Sequence, residues 1–317
     1  MPLPSCHIRL GCCAPQLSQI AAGFTLLAQQ KRLRIQSTEV APLLYPHPYV
    51  LEADFGRGNV FAYDVTESYA QIPCLKSFDA NLSHVARYFK RGHVRDLHDG
   101  LPNSWKLRPL GLGLHVTCRG NFFDTLTTTP CPFSAEDYMS HNSYPAYKIL
   151  FIVQLLPQHN KQAKQTNQLY INSIHACKEA FGADFHGGLL DCAIARKIAP
   201  ELVLPASQTR QAHLLQQLKG NFICVAAPGQ FAQLCAAGRA IVTTPFDFGL
   251  PGPFARARNY VTYDSPESCL ARLNELLEST PAVHRMEAAN FTYFTQFIRP
   301  DAMVLHTLQD GLSQFFT

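Results

Sequence analysis

Residues 221–246, NFICVAAPGQFAQLCAAGRAIVTTPF, decide how this chain folds. The opening NFICVAA is a short apolar run rich in β-branched and aromatic residues, which suits a buried strand. Pro228-Gly229 then breaks the run as a turn pair. A short helix is expected from Gly229 to Ala237, with Gly238 placed where a helix ends in a left-handed residue. The run AIVTTPF (240–246) follows as a second strand. Strand, turn, helix, strand is the unit that winds parallel sheets, and it predicts an α/β fold.

The same grammar extends in both directions. Upstream lie strand KILFIVQ (148–154), a helix over 166–182, strand DFHGGLL (184–190) and a helix over 207–220. Downstream come NYVTY (259–263) and three helical segments beginning at Ser265, Pro281 and Pro300, each with proline near its first turn. The first half repeats the alternation. CHIRLGCC (6–13) leads into a helix whose Leu17, Ile20, Phe24 and Leu27 recur at helical spacing, and RLRIQSTEV (32–40) follows. YVLEADF and NVFAYDV flank Gly56-Arg57-Gly58 as a hairpin, so the first sheet is expected to be mixed. VARYFK (85–90) and LGLGLHV (110–116) read as further strands, and residues 120–147 as a polar connector with one short helix.

These patterns predict two Rossmann-like domains, 1–147 and 148–317, since 317 residues exceed what one core usually serves. Open parallel sheets bind ligands at the carboxyl ends of their strands, and two such sets facing a cleft would form a pocket. Composition agrees with a packed protein: 47% hydrophobic and 16% charged residues leave no disordered tail. The run KILFIVQLLP is too short to cross a membrane. The N-terminus has no basic stretch followed by an apolar one, so no cleaved export signal is expected. Eleven cysteines without a C-x-x-C pair argue against a disulfide framework or structural zinc and for a reducing, cytoplasmic setting. Cys224 and Cys235 read as buried inert thiols, and Cys12-Cys13 as packing at a strand end. The formal charge of +4 is divided evenly between the halves, which disfavours nucleic acid as a partner. The basic string YFKRGHVR (88–95) reads as a solvated face, against contact with an acidic ligand.

The stretch 221–246 resembles the donor-site segment of GT-B glycosyltransferases, where a glycine-bearing loop is followed by a helix of pattern E-[FY]-x-A-x-G-[KR]-x-[IV]; Ala236, Gly238, Arg239 and Ile241 match. RYFKR (87–91), RPLGLGLHV (108–116) and FAYDVTES (61–68) are similar to segments of bacterial surface-polysaccharide glycosyltransferases of the group 1 type. The closing strand and helices, including a last helix that crosses back onto the first domain, extend the likeness over most of the chain. The resemblance implies a metal-independent transferase with no cofactor, moving a sugar from a nucleotide-sugar donor to a glycan or other hydroxyl acceptor. A lipid-linked acceptor would bring it to a membrane surface. It also implies that Pro228, Gly229 and Gln230 face the donor diphosphate, as helix N-termini and free amides favour anions.

Two positions depart from the resembled pattern. Gln233 stands where the family carries a ribose-gripping glutamate, and Gln154 where an arginine often meets the diphosphate; both keep hydrogen-bonding capacity without charge. Lys161, Lys164 or Arg210 could supply the missing cation. The alternatives are therefore a binding or regulatory protein without turnover, an epimerase of the same shape, or a glycosyltransferase acting on nucleic acid. Asp64, at a strand end in the first half, is the first candidate catalytic carboxylate and Glu67 the second, against a plain turn or N-cap reading. His186 with Gly187 and Gly188 is a donor-pocket candidate, against a close strand–helix contact. No phosphate-loop, serine-elbow, zinc-helix or aspartate–x–aspartate motif occurs.

Overall fold

The computed structural model describes residues 3–69, 72, 74–139, 147–157 and 160–312. They form two compact α/β units, the first made of 1–137, 247–253 and 294–317 and the second of 138–246 and 254–293.

The first unit contains β1 (Ser5–Leu10), α1 (Ser18–Gln29), β2 (Arg34–Val40), β3 (Val50–Asp54), β4 (Val60–Asp64), α2 (Leu75–Leu82), β5 (Arg87–Lys90) and β6 (Leu107–Pro109). Its six-stranded sheet runs β2-β1-β3-β4-β5-β6. The hairpin partners β3 and β4 make it mixed, because β3 lies antiparallel to both β1 and β4 while the other pairs are parallel. The expected turn closes this hairpin, with Gly56, Arg57 and Gly58 all at positive φ. α1 buries Leu17, Ile20, Phe24 and Leu27 as their spacing requires, and the last helix of the chain packs beside it. Gly23 makes that approach possible: a Cβ there would stand 2.3 Å from the Pro300 carbonyl oxygen. Gln19 Nε2 donates to Ile298 O at 2.8 Å and Gln30 Nε2 to Asp301 Oδ2 at 3.0 Å, fixing the last helix further.

One strand expectation fails. LGLGLHV follows β6, and after the Leu110 amide, which donates to Lys90 O at 3.0 Å, it is irregular, with an isolated β-bridge only beyond it at Thr117. The Leu114 amide donates to the Gln19 side chain at 2.9 Å instead of a ladder partner. Gly111 adopts φ +100, and Gly113 leaves room for the Arg91 guanidinium, whose Nη1 would lie 2.4 Å from a Cβ at that position. Of the expected connector, residues 140–146 lie outside the described residues; short 3-10 turns occupy Phe122–Thr125 and Glu136–Tyr138.

The second unit contains β7 (Tyr147–Val153), α3 (Lys161–Phe181), β8 (Phe185–Leu189), α4 (Ala193–Ile198), α5 (Ala206–Thr209), α6 (Gln211–Lys219), β9 (Asn221–Ala226), α7 (Phe231–Ala236), β10 (Ala240–Thr243), β11 (Val261–Thr262), α8 (Pro266–Leu277) and α9 (Thr280–Tyr293). Its five strands are all parallel, in the order β11-β10-β9-β7-β8. The near-continuous apolar strands are explained by burial of both faces. Ile149, Phe151 and Val153 pack with residues of α3 and α8, while Leu150, Ile152 and Cys224 face Leu214 and Leu218 of α6 and Leu234 of α7. The chain then enters α10 (Pro300–Gly311), the last helix of the first unit. The α/β class expected from the sequence, two units on largely parallel sheets with the last helix returned to the first, is the observed one.

Candidate functional site

The carboxyl ends of β7 and β9 come together in the second unit, and the loop after β9 is built on the Pro-Gly pair. Pro228–Gln230 forms a 3-10 turn that continues into α7. Gln230 ties this loop down: its Nε2 donates to Ile152 O at 2.9 Å and its Oε1 accepts from the Ala227 amide at 3.2 Å. The amide expected to face a diphosphate is thus committed to the end of β7. Gly229 is different, because nothing lies within 4 Å of where its Cβ would be. One turn on, Gln233 is half-buried, and its side-chain amide has no hydrogen bond among the described residues. Gln233 also borders a cavity of about 30 Å³ lined by Leu150, Ile152, Leu214 and Leu218, room for a single water.

The other motif residues of this stretch build the fold. Gly238 ends α7 at φ +60, with its amide bonded to Cys235 O and the Arg239 amide to Leu234 O, a Schellman ending. The Arg239 side chain donates to the Leu218 carbonyl at 2.9 Å and to that of Lys219, so it caps the carboxyl end of α6. Its guanidinium also lies 3.8 Å from Glu287.

Gln154 stands exposed directly after β7. His186 lies within β8, beside Leu150 in the register, and not at the strand end. Gln217 Nε2 lies 2.7 Å from His186 Nε2 and 3.0 Å from His213 Nε2, so the Gln217 amide bridges the two rings. Burial, with His213 adding, holds His186 below the usual imidazole value. The Cβ positions of Gly187 and Gly188 are filled by protein: Phe185 and the Phe151 carbonyl lie against the first, and Leu202 O and Leu204 against the second. The structure therefore brings Pro228, Gly229, Gln230 and Gln233 together and places His186, Gly187 and Gly188 in a packed strand.

In the first unit, Asp64 ends β4 and is fully buried. Its Oδ1 accepts from the Thr66 amide at 2.8 Å and the Thr66 hydroxyl at 2.6 Å; its Oδ2 accepts from Tyr88 at 2.9 Å. His47 Nε2 lies 3.3 Å and Lys90 Nζ 3.5 Å from the same Oδ2. Burial alone would raise this carboxyl, but His47, Lys90 and Thr66 outweigh it and hold it below the ordinary aspartate value. Lys90 is also fully buried and donates to Thr66 Oγ1 at 2.7 Å and Arg91 O at 3.0 Å. Arg91 is buried against Gln19, and burial pushes it down to about 10 against the opposing pull of Glu67 and Asp64. The reading of YFKRGHVR as a solvated face is corrected for its central cations. Register explains why: Lys90 pairs with Asp64 across β4 and β5, so the two charges neutralise each other inside the unit. Glu67 is exposed, and its carbonyl leans on Gly92, where a Cβ would lie 2.1 Å away.

Sequence reasoning missed His47, Tyr88, Lys90 and the Gln217 bridge. Lys90 carried a usable signal, a cation closing one short strand while aspartate closes another. His47 and Gln217 carried none.

Compared by sequence, the chain matches no family model and no curated protein. Solved structures do match in fold. HepE from Anabaena, in complex with UDP and glucose, aligns over 98% of this chain and 100% of its own at 9% identity with a TM-score of 0.46. A putative UDP-N-acetylglucosamine 2-epimerase from Listeria monocytogenes aligns over 98% and 97% at 8% identity with a TM-score of 0.49. The C-terminal domain of LpcC, a glycosyl transferase group 1 family protein from Francisella tularensis, aligns over 52% of this chain and 97% of its own, at 11% identity and a TM-score of 0.41. At such identities the matches concern the course of the chain, and a functional reading has to rest on this chain's own residues.

Proposed function

We propose that the chain is a glycosyltransferase that holds a nucleotide-sugar donor on the β9–α7 loop of its second unit and passes the sugar to a hydroxyl on a glycan acceptor. The observation that carries the reading is the pairing of an open Gly229 with the uncommitted amide of Gln233, at the carboxyl ends of parallel strands. Backbone amides at Gly229 and the start of α7 would meet the diphosphate, and Gln233 would bond the ribose hydroxyls. Gln154, exposed at the end of β7, would reach the same ligand from the side. Glu67 is the better placed of the two carboxylates to accept a proton from the acceptor, being exposed; buried Asp64 would hold the Thr66 turn that presents it.

Titration calorimetry with UDP on wild type and Gln233→Ala tests this. A several-fold loss of affinity in the variant is expected, the worth of about one hydrogen bond. Equal affinities would remove Gln233 from the site, and no heat with any nucleoside diphosphate would remove the site altogether. A second reading, a binding protein without turnover, is favoured by two neutral glutamines where the resemblance expects charges. Gln233→Glu separates them. In a working transferase both wild type and variant hydrolyse or transfer from a nucleotide sugar, whereas in a lapsed enzyme only the glutamate variant gains donor binding.

A further inference from the structure

Trp105, the chain's sole tryptophan, stands 57% exposed on the turn Ser104–Lys106 that leads into β6. An isolated exposed apolar side chain is ordinary, but this ring is braced. The Arg87 guanidinium carbon and Lys106 Nζ each lie 5.6 Å from its centroid, within cation–π range. Those cations are themselves fixed. Arg87 Nε donates to Asp310 at 2.8 Å, and Lys106 Nζ donates to the Leu82 and Ser83 carbonyls at 2.9 and 3.1 Å, at the carboxyl end of α2. Arg108 completes the surround, with Nε 3.5 Å from Asp310 and Nη1 bonded to the Trp105 and Leu107 carbonyls. Two cations thus flank an indole whose own N–H has no partner among the described residues, and Arg108 and Asp310 are tied to them and to the Trp105 backbone. The patch sits where β5 and β6 begin, about 10 Å along the strand from the Asp64–Lys90 end.

We infer that this patch is a docking surface for an anionic lipid bilayer, with the Trp105 ring seated in the headgroup layer. A rigid ring with an apolar body and a free polar tip suits a membrane–water interface, and bracing lowers the entropy lost on docking. The excess positive charge attracts an anionic surface over a Debye length. A glycan or a nucleic acid is the weaker fit, because reading hydroxyls or phosphates needs directional donors. Here the principal donors of Arg87, Lys106 and Arg108 already serve Asp310 and backbone carbonyls. A bilayer needs only the field and the ring. No described helix is long and apolar enough to cross a membrane, so contact through this patch would be peripheral. The inference does not depend on the donor site.

Since Trp105 is the sole tryptophan, its fluorescence reports on this surface alone. Emission is expected to move to shorter wavelength on vesicles of mixed phosphatidylglycerol and phosphatidylcholine, to stay in place on phosphatidylcholine alone, and to return in about 1 M salt, where screening reaches about 3 Å. Trp105→Ser and Arg108→Glu, checked for folding by circular dichroism, should each sediment with the anionic vesicles several-fold less than wild type. The inference is overturned by an unmoved emission on anionic vesicles, by an equal shift on neutral ones, or by unchanged sedimentation of both variants. A shift of the same size with a sulfated polysaccharide or single-stranded DNA would also overturn it.

Discussion

The carboxyl end of β4 and β5 in the first unit and the β9–α7 loop in the second both lie at the carboxyl ends of parallel-paired strands, yet they treat polar groups in opposite ways. Around Asp64, charged and polar side chains are buried and bonded to one another: Thr66, Tyr88, His47 and Lys90 all converge on one carboxylate. Around Gly229, the loop is anchored by the Gln230 side chain, and the next amide along, Gln233, has no hydrogen-bond partner among the described residues. A buried ion must be compensated or the fold suffers, so the first arrangement is primarily about stability. An uncommitted amide on open backbone adds little to stability and remains available to a ligand. Richness in titratable groups therefore marks the buried, mutually bonded cluster and not the open loop.

The comparison breaks most visibly at Lys90. Lys90→Met should leave Asp64 buried without its cation and cost about 3–5 kcal/mol, read from urea denaturation. Adding Asp64→Asn in the same chain should recover much of the loss, since a neutral pair replaces a lone charge; no recovery would show that the two residues are not coupled.

Acid titration sharpens the same contrast with a smaller effect. The native Asp64 pKa lies below its unfolded value, so its contribution is complete above about pH 4 and is lost as pH falls through the native value. Asp64→Asn should flatten the acid limb of the urea midpoint between about pH 5 and pH 2. An unchanged slope would mean that Asp64 gains nothing from its partners.

Within the loop, Gln230 and Gln233 should differ in kind. Gln230→Ala removes the bond to the Ile152 carbonyl and should cost about 1 kcal/mol of stability. Gln233→Ala should change stability by less than about 0.5 kcal/mol, its effect being confined to donor affinity. Equal destabilisation by both would erase the distinction between anchor and free amide.

Much of this molecule is written in local pattern. The strand–turn–helix–strand of 221–246, the Leu17/Ile20/Phe24/Leu27 spacing of α1 and the glycines of the β3–β4 hairpin all appear where residue order alone places them, because period and backbone freedom are properties of neighbouring residues. LGLGLHV shows the limit. Its apolar run reads as a strand, but Gln19 claims the Leu114 amide and Arg91 occupies the space at Gly113, and neither is a sequence neighbour. Glutamines 230 and 233 are alike as letters and separate only once β7 offers a carbonyl to one of them. Asp64 reads from sequence only as a strand-end carboxylate, and it is the tertiary structure that sets Lys90 beside it and His47 over the pair. The sequence by itself determined the two α/β units, the parallel winding and the glycine loop after β9, since these follow from periodicity and turn chemistry. Which polar groups are buried partners and which stay open was decided by tertiary structure alone, because desolvation and partnering depend on what residues distant in the chain bring to the same place.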